Sequence, residues 1–183
     1  MSAIRSTLVI SSLASVSEAG YRDAYFAALP EKHHETVRSA VAATWLPADL
    51  AVAHYGACSS LGLSHDAVAR IGRSVGDKVS GTLVGTAARI SREMGVTPLE
   101  VIPQFQRFWG RAFQGGGCCA FKIGPKEVSL EAHKAVVFDY PYFRSAICGL
   151  LMGVLEPFCT RVYVSERPGQ RPPAGCLFKI QWV

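Results

Sequence analysis

Apolar residues recur with a helical period up to Gln114 and with a two-residue period beyond it, so the chain divides into a helical part and a sheet. The opening run, residues 6–12, is β-branched and apolar and predicts a short strand, followed by a helix over 17–29 that Pro30 ends. Residues 31–43 predict a second helix with Val37, Ala40 and Val41 on one face, and Trp45-Leu46-Pro47 breaks it before a third over 48–61. Ser64 caps a longer helix in which Val68, Ile71, Val75, Val79, Leu83 and Ile90 recur at helical spacing, closed by Gly95. Gly72, Gly76, Gly81 and Gly85 interleave with them, a spacing that lets a neighbouring helix approach closely. Thr97-Pro98-Leu99-Glu100 starts a helix over 97–114, because Thr caps and a first-turn Pro loses no hydrogen bond. Its Phe105, Phe108, Trp109, Ala112 and Phe113 form one stripe.

After Gly115-Gly116-Gly117 the alternation predicts strands over 119–123, 127–131 and 135–140, with a turn at Gly124-Pro125-Lys126. Pro141 opens a helix over 142–158, apolar through Ile147, Leu150, Leu151, Val154 and Leu155, with Gly149 and Gly153 on its close-packing side. Residues 161–165 and 176–183 are the last two strands, joined by a Pro- and Gly-rich loop. The expectation is an α+β domain, 1–183, in which an N-terminal helical part precedes an antiparallel sheet interrupted by one helix.

Composition changes this picture little. A length of 183 residues with 49% hydrophobic and 18% charged side chains suits one domain with a generous core. The net charge of +5 is scattered and forms no dense basic cluster, which argues against a nucleic-acid partner. No stretch reaches the ~20 apolar residues of a membrane span, and the first residues lack the pattern of a cleaved leader, so a cytoplasmic location is expected. The six cysteines, at 58, 118, 119, 148, 159 and 176, form no CxxC pair and read as reduced thiols. Cys118 and Cys119 must point to opposite faces of a strand.

Histidines offer little chemistry in this reading. His33 and His34 read as a solvated helix face beside Glu31 and Glu35, and His65 as a first-turn residue. His54 lies four residues from Cys58, at helical-neighbour spacing, while His133 stands without a paired acid or base. There is no GxSxG, no Ser-His-Asp order and no carboxylate dyad, and Gly115-Gly116-Gly117 lacks the Lys-Ser/Thr of a phosphate loop. A non-catalytic protein is expected.

The segment Ser145–Leu155, followed by Arg161-Val-Tyr-Val-Ser-Glu166 and Ala174-Gly-Cys-Leu-Phe-Lys-Ile180, resembles the end of the 4-vinyl-reductase-type small-molecule-binding domain. Thr44-Trp-Leu-Pro47 and Phe178-Lys-Ile-Gln-Trp182 also resemble uncharacterised myxobacterial paralogues of this length. In phenol-sensing members of the former family zinc is held by an upstream Cys and by Glu-x-x-Cys-x7-Cys. The resemblance puts Glu166 and Cys176 in this pattern, but Gly169 replaces one Cys, the upstream position falls near Phe143, and Cys148 would reach only if its helix were displaced. Two ligands do not close a structural zinc site, so no metal is expected, with Cys148, Glu166 and Cys176 the weak candidates. The family also shares its fold with bacterial haem-based nitric oxide sensors and with subunits of vesicle-tethering complexes. Tyr163-Val-Ser165-Glu-Arg167 matches the sensors' Tyr-x-Ser-x-Arg propionate string, but it follows the long apolar helix rather than preceding it, and the helix over 97–114 has no His to hold iron. No cofactor is therefore expected.

Together these readings lead to a sensing domain that binds a small hydrophobic or aromatic ligand between the helix over 97–114 and the sheet. Phe105, Phe108, Trp109 and Phe113 form one wall, and Phe138, Tyr140, Tyr142 and Phe143 the other. The alternative is a protein–protein interaction module with a filled core, homodimeric through the face of 68–90 that carries Gly72 and Gly76. A haem- or tetrapyrrole-binding protein ranks below both.

Overall fold

Ala3–Arg5 form β1, and the chain turns helical at once, because the buried positions that follow, Ser6, Val9, Ser12, Ser15 and Val16, fall on one helical face. Residues 6–12 are thus the start of helix α1, Ser6–Glu18, and not a strand. β-branched content is a weak guide when small serines share the buried face. The computed structural model describes residues 1–80, 95–167, 169 and 172–183, the side chains of 77–80 excepted. Leu83, Ile90, Gly81 and Gly85, and the side chain of Val79, lie outside what is described.

α2 spans Arg22–Ala28 and ends as expected before Pro30. Residues 31–43 yield a 3-10 turn, Glu31–His33, and a short α3, His34–Arg38, before the chain extends. His33 is buried and His34 Nε2 bonds the Leu29 carbonyl at 2.8 Å, so this is not a solvated histidine face. Trp45–Pro47 form β2, α4 is Ala48–Ser60 and α5 is His65–Ser80. β2, β1 and β3 (Phe113–Gln114) make a small antiparallel sheet with β1 in the middle.

The expected helix over 97–114 is broken into α6, Pro98–Val101, a 3-10 turn at Ile102–Gln104, and α7, Phe105–Ala112. Pro103 has no N–H to continue the α pattern, and Phe113 and Gln114 leave the helix to pair with β1. The predicted cap is present, with the Thr97 N–H donating to Glu100 Oε2 at 2.8 Å.

The main sheet is antiparallel, in the order β4-β5-β7-β6, with β4 at Gly117–Gly124, β5 at Glu127–His133, β6 at Val162–Glu166 and β7 at Cys176–Trp182. Leu130 lies opposite Phe178, and Ala132 opposite Cys176, so these side chains share the inner face. The expected strand over 135–140 is instead a 3-10 turn, Val136–Asp139. Lys134, at φ 56°, ends the strand path, and the Phe138 N–H donates back to the Ala135 carbonyl.

Helix α8, Pro141–Leu155, connects the two halves of the sheet and lies against α5. A Cβ at Gly72 would come within 1.9 Å of the Ala146 carbonyl oxygen, and one at Gly149 within 1.8 Å of the Ala69 carbonyl oxygen. The helices therefore touch backbone to backbone, closer than side-chain ridges allow. This corrects the expectation that Gly72 and Gly76 mark an exposed docking face, since α8 already covers them. Burial of Leu151 and Leu155 on α8 contributes ~1.5–3 kcal/mol each.

Candidate ligand cavity

The helical aromatic stripe and the inner face of the sheet do not meet everywhere. Between them lies a cavity of about 360 Å³ whose lining is almost entirely apolar. α7 contributes Phe105, Phe108 and Trp109, and Phe113 follows from β3. Leu130, Ala132 and Phe178 line it from the sheet, and Phe138 from the 3-10 turn. α8 adds Phe143, Ala146, Ile147, Leu150, Leu151 and Val154, and α5 adds Ile71, Gly72 and Val75. The space is thus bounded by α1, α5 and α8 as well as by the two walls expected.

Packing holds the aromatic wall rigid. Trp109 stacks on Phe138 with centroids 5.9 Å apart and planes 13° from parallel, and Phe138 meets Phe143 edge-on at 5.0 Å. Trp109 Nε1 donates to the Gly115 carbonyl at 3.2 Å, which fixes the indole in the wall. These rings interlock with one another and leave the cavity beside them instead of filling it.

Six of the eight sequence-predicted residues line this cavity: Phe105, Phe108, Trp109, Phe113, Phe138 and Phe143. Tyr140 and Tyr142 do not. Tyr140 lies over Gly56, whose added Cβ would meet its ring at 3.3 Å. Tyr142 shares a 3.1 Å hydrogen bond with Ser12 and borders a separate, smaller cavity of about 180 Å³. At the first residues of a helix, neighbouring side chains diverge by about a quarter turn, so an unbroken aromatic run cannot face one way. Leu130 and Phe178 fall within the strands expected from the alternation, whereas Ala132 lies one residue beyond the expected strand over 127–131; the contribution of α1 was hidden by its reading as a strand.

Polar groups collect at one end. Arg5 and Arg111 line the cavity together with Thr7. Arg5 is pinned: Nε donates to the Arg111 carbonyl at 3.2 Å, Nη1 donates to the Ala43 carbonyl at 2.9 Å, and the guanidinium lies 4.0 Å over the Trp45 ring. Arg111 is exposed.

Beneath α4 a second polar group is sealed in the core. His54 is fully buried, its Nδ1 sharing a 2.8 Å hydrogen bond with the Tyr25 hydroxyl and its Nε2 lying 3.8 Å from Cys58 Sγ. Burial drives the His54 pKa down to about 3 and pushes the Cys58 thiol up to about 12, so both are neutral near pH 7.

The zinc pattern of the resemblance is tested by its own residues. Glu166 lies on the inner side of β6, partly buried, and its carboxylate pairs with Arg144 Nε at 3.0 Å. Cys176 bonds Glu166, and the Cys148 thiol lies near enough to feel the same carboxylate. Burial first, and then Glu166, push both thiols up to about 12. The Arg144 cation already neutralises the carboxylate, and Gly169 supplies no ligand. The group does not fit a zinc site.

Haem fits no better. Among the described residues no histidine lines the cavity, and burial pushes its Cys118 thiol up to about 11. Tyr163 and Ser165 are exposed on the outer side of β6, and Arg167 pairs with Glu127 at 3.6 Å, so the Tyr-x-Ser-x-Arg string lies away from the cavity.

No family model and no curated protein matches the sequence. Solved structures are similar in fold. An Fe(II) unliganded H-NOX protein mutant from K. algicida superposes with a TM-score of 0.71 at 8% identity, over 98% of this chain and 97% of that one. An H-NOX protein from S. oneidensis in the Fe(II) state gives 0.66 at 11%, over 98% and 96%, and a T. Tengcongensis H-NOX mutant gives 0.64 at 12%, over 98% and 97%. At these identities the likeness is one of fold: the α+β architecture expected from the sequence is the H-NOX fold, carried here by a chain in which no histidine among the described residues lines the cavity.

Proposed function

We propose that this protein is a non-catalytic sensing domain that takes up a small hydrophobic or aromatic molecule in the cavity beside α7. The observation that carries the reading is the cavity itself, because close-packed cores do not leave about 360 Å³ of apolar space without an occupant to fill it. Arg5 and Arg111 at one end favour a ligand with an apolar body and an anionic tip. The fold of the H-NOX structures agrees with a small-molecule role at this coarse level. A homodimer would need a surface other than the Gly72 face.

Two measurements test this. Native mass spectrometry of the purified protein, with solvent extraction, should reveal a co-purifying apolar molecule. Titration with anilinonaphthalenesulfonate should give one saturable site, weakened about tenfold or more by Ala132→Phe, which fills the cavity, and a few-fold by Arg111→Ala, which removes charge at its mouth. Dye affinity unchanged in a folded Ala132→Phe protein, together with no extractable ligand, would sink the reading.

A further inference from the structure

Outside the cavity, the outer face of the main sheet gathers three ligating side chains. Cys119 on β4 lies directly opposite Glu131 on β5, and His133 lies two residues further along the same face. The Cys119 Sγ, a Glu131 carboxylate oxygen and a His133 ring nitrogen all lie within 4.8 Å of one another, and all three residues are half-buried. The strand partner of His133 is Gly117, and a Cβ there would meet His133 Nε2 at 3.1 Å. A bare glycine therefore lets the imidazole lie back across β4 towards Cys119. Gln106 on α7 bounds the same gap: its Oε1 would be 3.2 Å from that Cβ, held there by the Cys118 N–H at 2.7 Å. Apart from one another, none of the three side chains has a hydrogen-bond or ion-pair partner among the described residues.

We propose that Cys119, Glu131 and His133 bind a zinc-class divalent cation. One sulfur, one nitrogen and one oxygen donor suit Zn²⁺ or Co²⁺ and not Mg²⁺ or Ca²⁺, which prefer oxygen alone. Tetrahedral Zn²⁺ bonds of ~2.0–2.3 Å set its ligands roughly 3.3–3.8 Å apart, so the trio closes by about an ångström through χ rotations of Cys119 and Glu131. The Cys119 S–H proton leaves to solvent as the metal–sulfur bond forms, and three protein ligands leave the fourth position to water. The site lies on the opposite face of the sheet from the cavity and on residues that the zinc pattern of the resemblance does not use.

Equilibrium dialysis of the full chain against Zn²⁺ should show one ion bound, and Co²⁺ loading should give a thiolate-to-cobalt absorption band. Cys119→Ser should abolish that band and weaken Zn²⁺ about a hundredfold, and His133→Gln should weaken it about tenfold or more. Cys148→Ser and Cys176→Ser should change neither. The proposal is overturned if the wild-type chain binds no stoichiometric Zn²⁺, if Cys119→Ser and His133→Gln, folded by circular dichroism, bind as the wild type does, or if the band is lost in Cys148→Ser or Cys176→Ser instead.

Discussion

Replacing Gly149 with alanine is expected to lower the melting temperature by about 10 °C. The single methyl would sit 1.8 Å from the Ala69 carbonyl oxygen and 2.9 Å from the Arg73 backbone nitrogen. Neither neighbour is the tip of a side chain that could swing away, so α5 and α8 must separate along their whole crossing. Overpacking costs ~1–3 kcal/mol where side chains can adjust, and about 3 kcal/mol or more is expected where backbones collide. A chain of this size loses roughly 2–4 °C for each kcal/mol, which gives the stated shift. Gly110→Ala in α7 is the control: no atom lies within 4 Å of its added Cβ, and the substitution should be neutral or stabilising by about 0.5–1 kcal/mol. Thermal unfolding of both variants decides the matter, and a Gly149→Ala protein that melts with the wild type would show that the crossing is looser than its glycines require. Since Gly72, Ala146 and Leu150 also line the cavity, the same variant should weaken dye binding.

That crossing shows what the sequence could and could not reveal. The glycine spacing of α5 and of α8 announced close approach, but a spacing names no partner, and the two stripes were readable only separately; one was assigned to an unknown second copy when its partner stood about 75 residues downstream in the same chain. The aromatic stripe of α7 was legible because its period is local, whereas the breaks at Pro103 and Phe113 depended on pairing with β1, which is a long-range event. Residues 135–140 had strand composition and took a turn because one residue, Lys134, adopts a left-handed φ that composition does not signal. Cys119, Glu131 and His133 were overlooked for a related reason: in sequence Cys119 and His133 are fourteen residues apart, and only the β4–β5 register makes them neighbours.

Acidification should weaken this fold more than its carboxylates alone would. His54 is neutral and fully buried in the native state, with its pKa lowered from 6.5 to about 3 by desolvation, while in the unfolded chain it titrates normally. A depressed native pKa means the unfolded state binds the extra proton, so the contribution is complete above pH 6.5 and is lost as pH falls from there towards 3. The slope is about 1.4 kcal/mol per pH unit, or roughly 3 kcal/mol between pH 6 and pH 4. Tyr25 and Cys58, which face the ring, stay neutral throughout that window because burial raises both of their pKa values. Urea unfolding of the wild type and of His54→Gln across that range separates this effect from the carboxylates common to both proteins. His54→Gln should be less stable near pH 7, because Tyr25 loses its 2.8 Å partner, and its pH profile should be flatter by that slope. Parallel profiles would mean that His54 reaches water in the native state, and that the core beneath α4 opens before the protein unfolds.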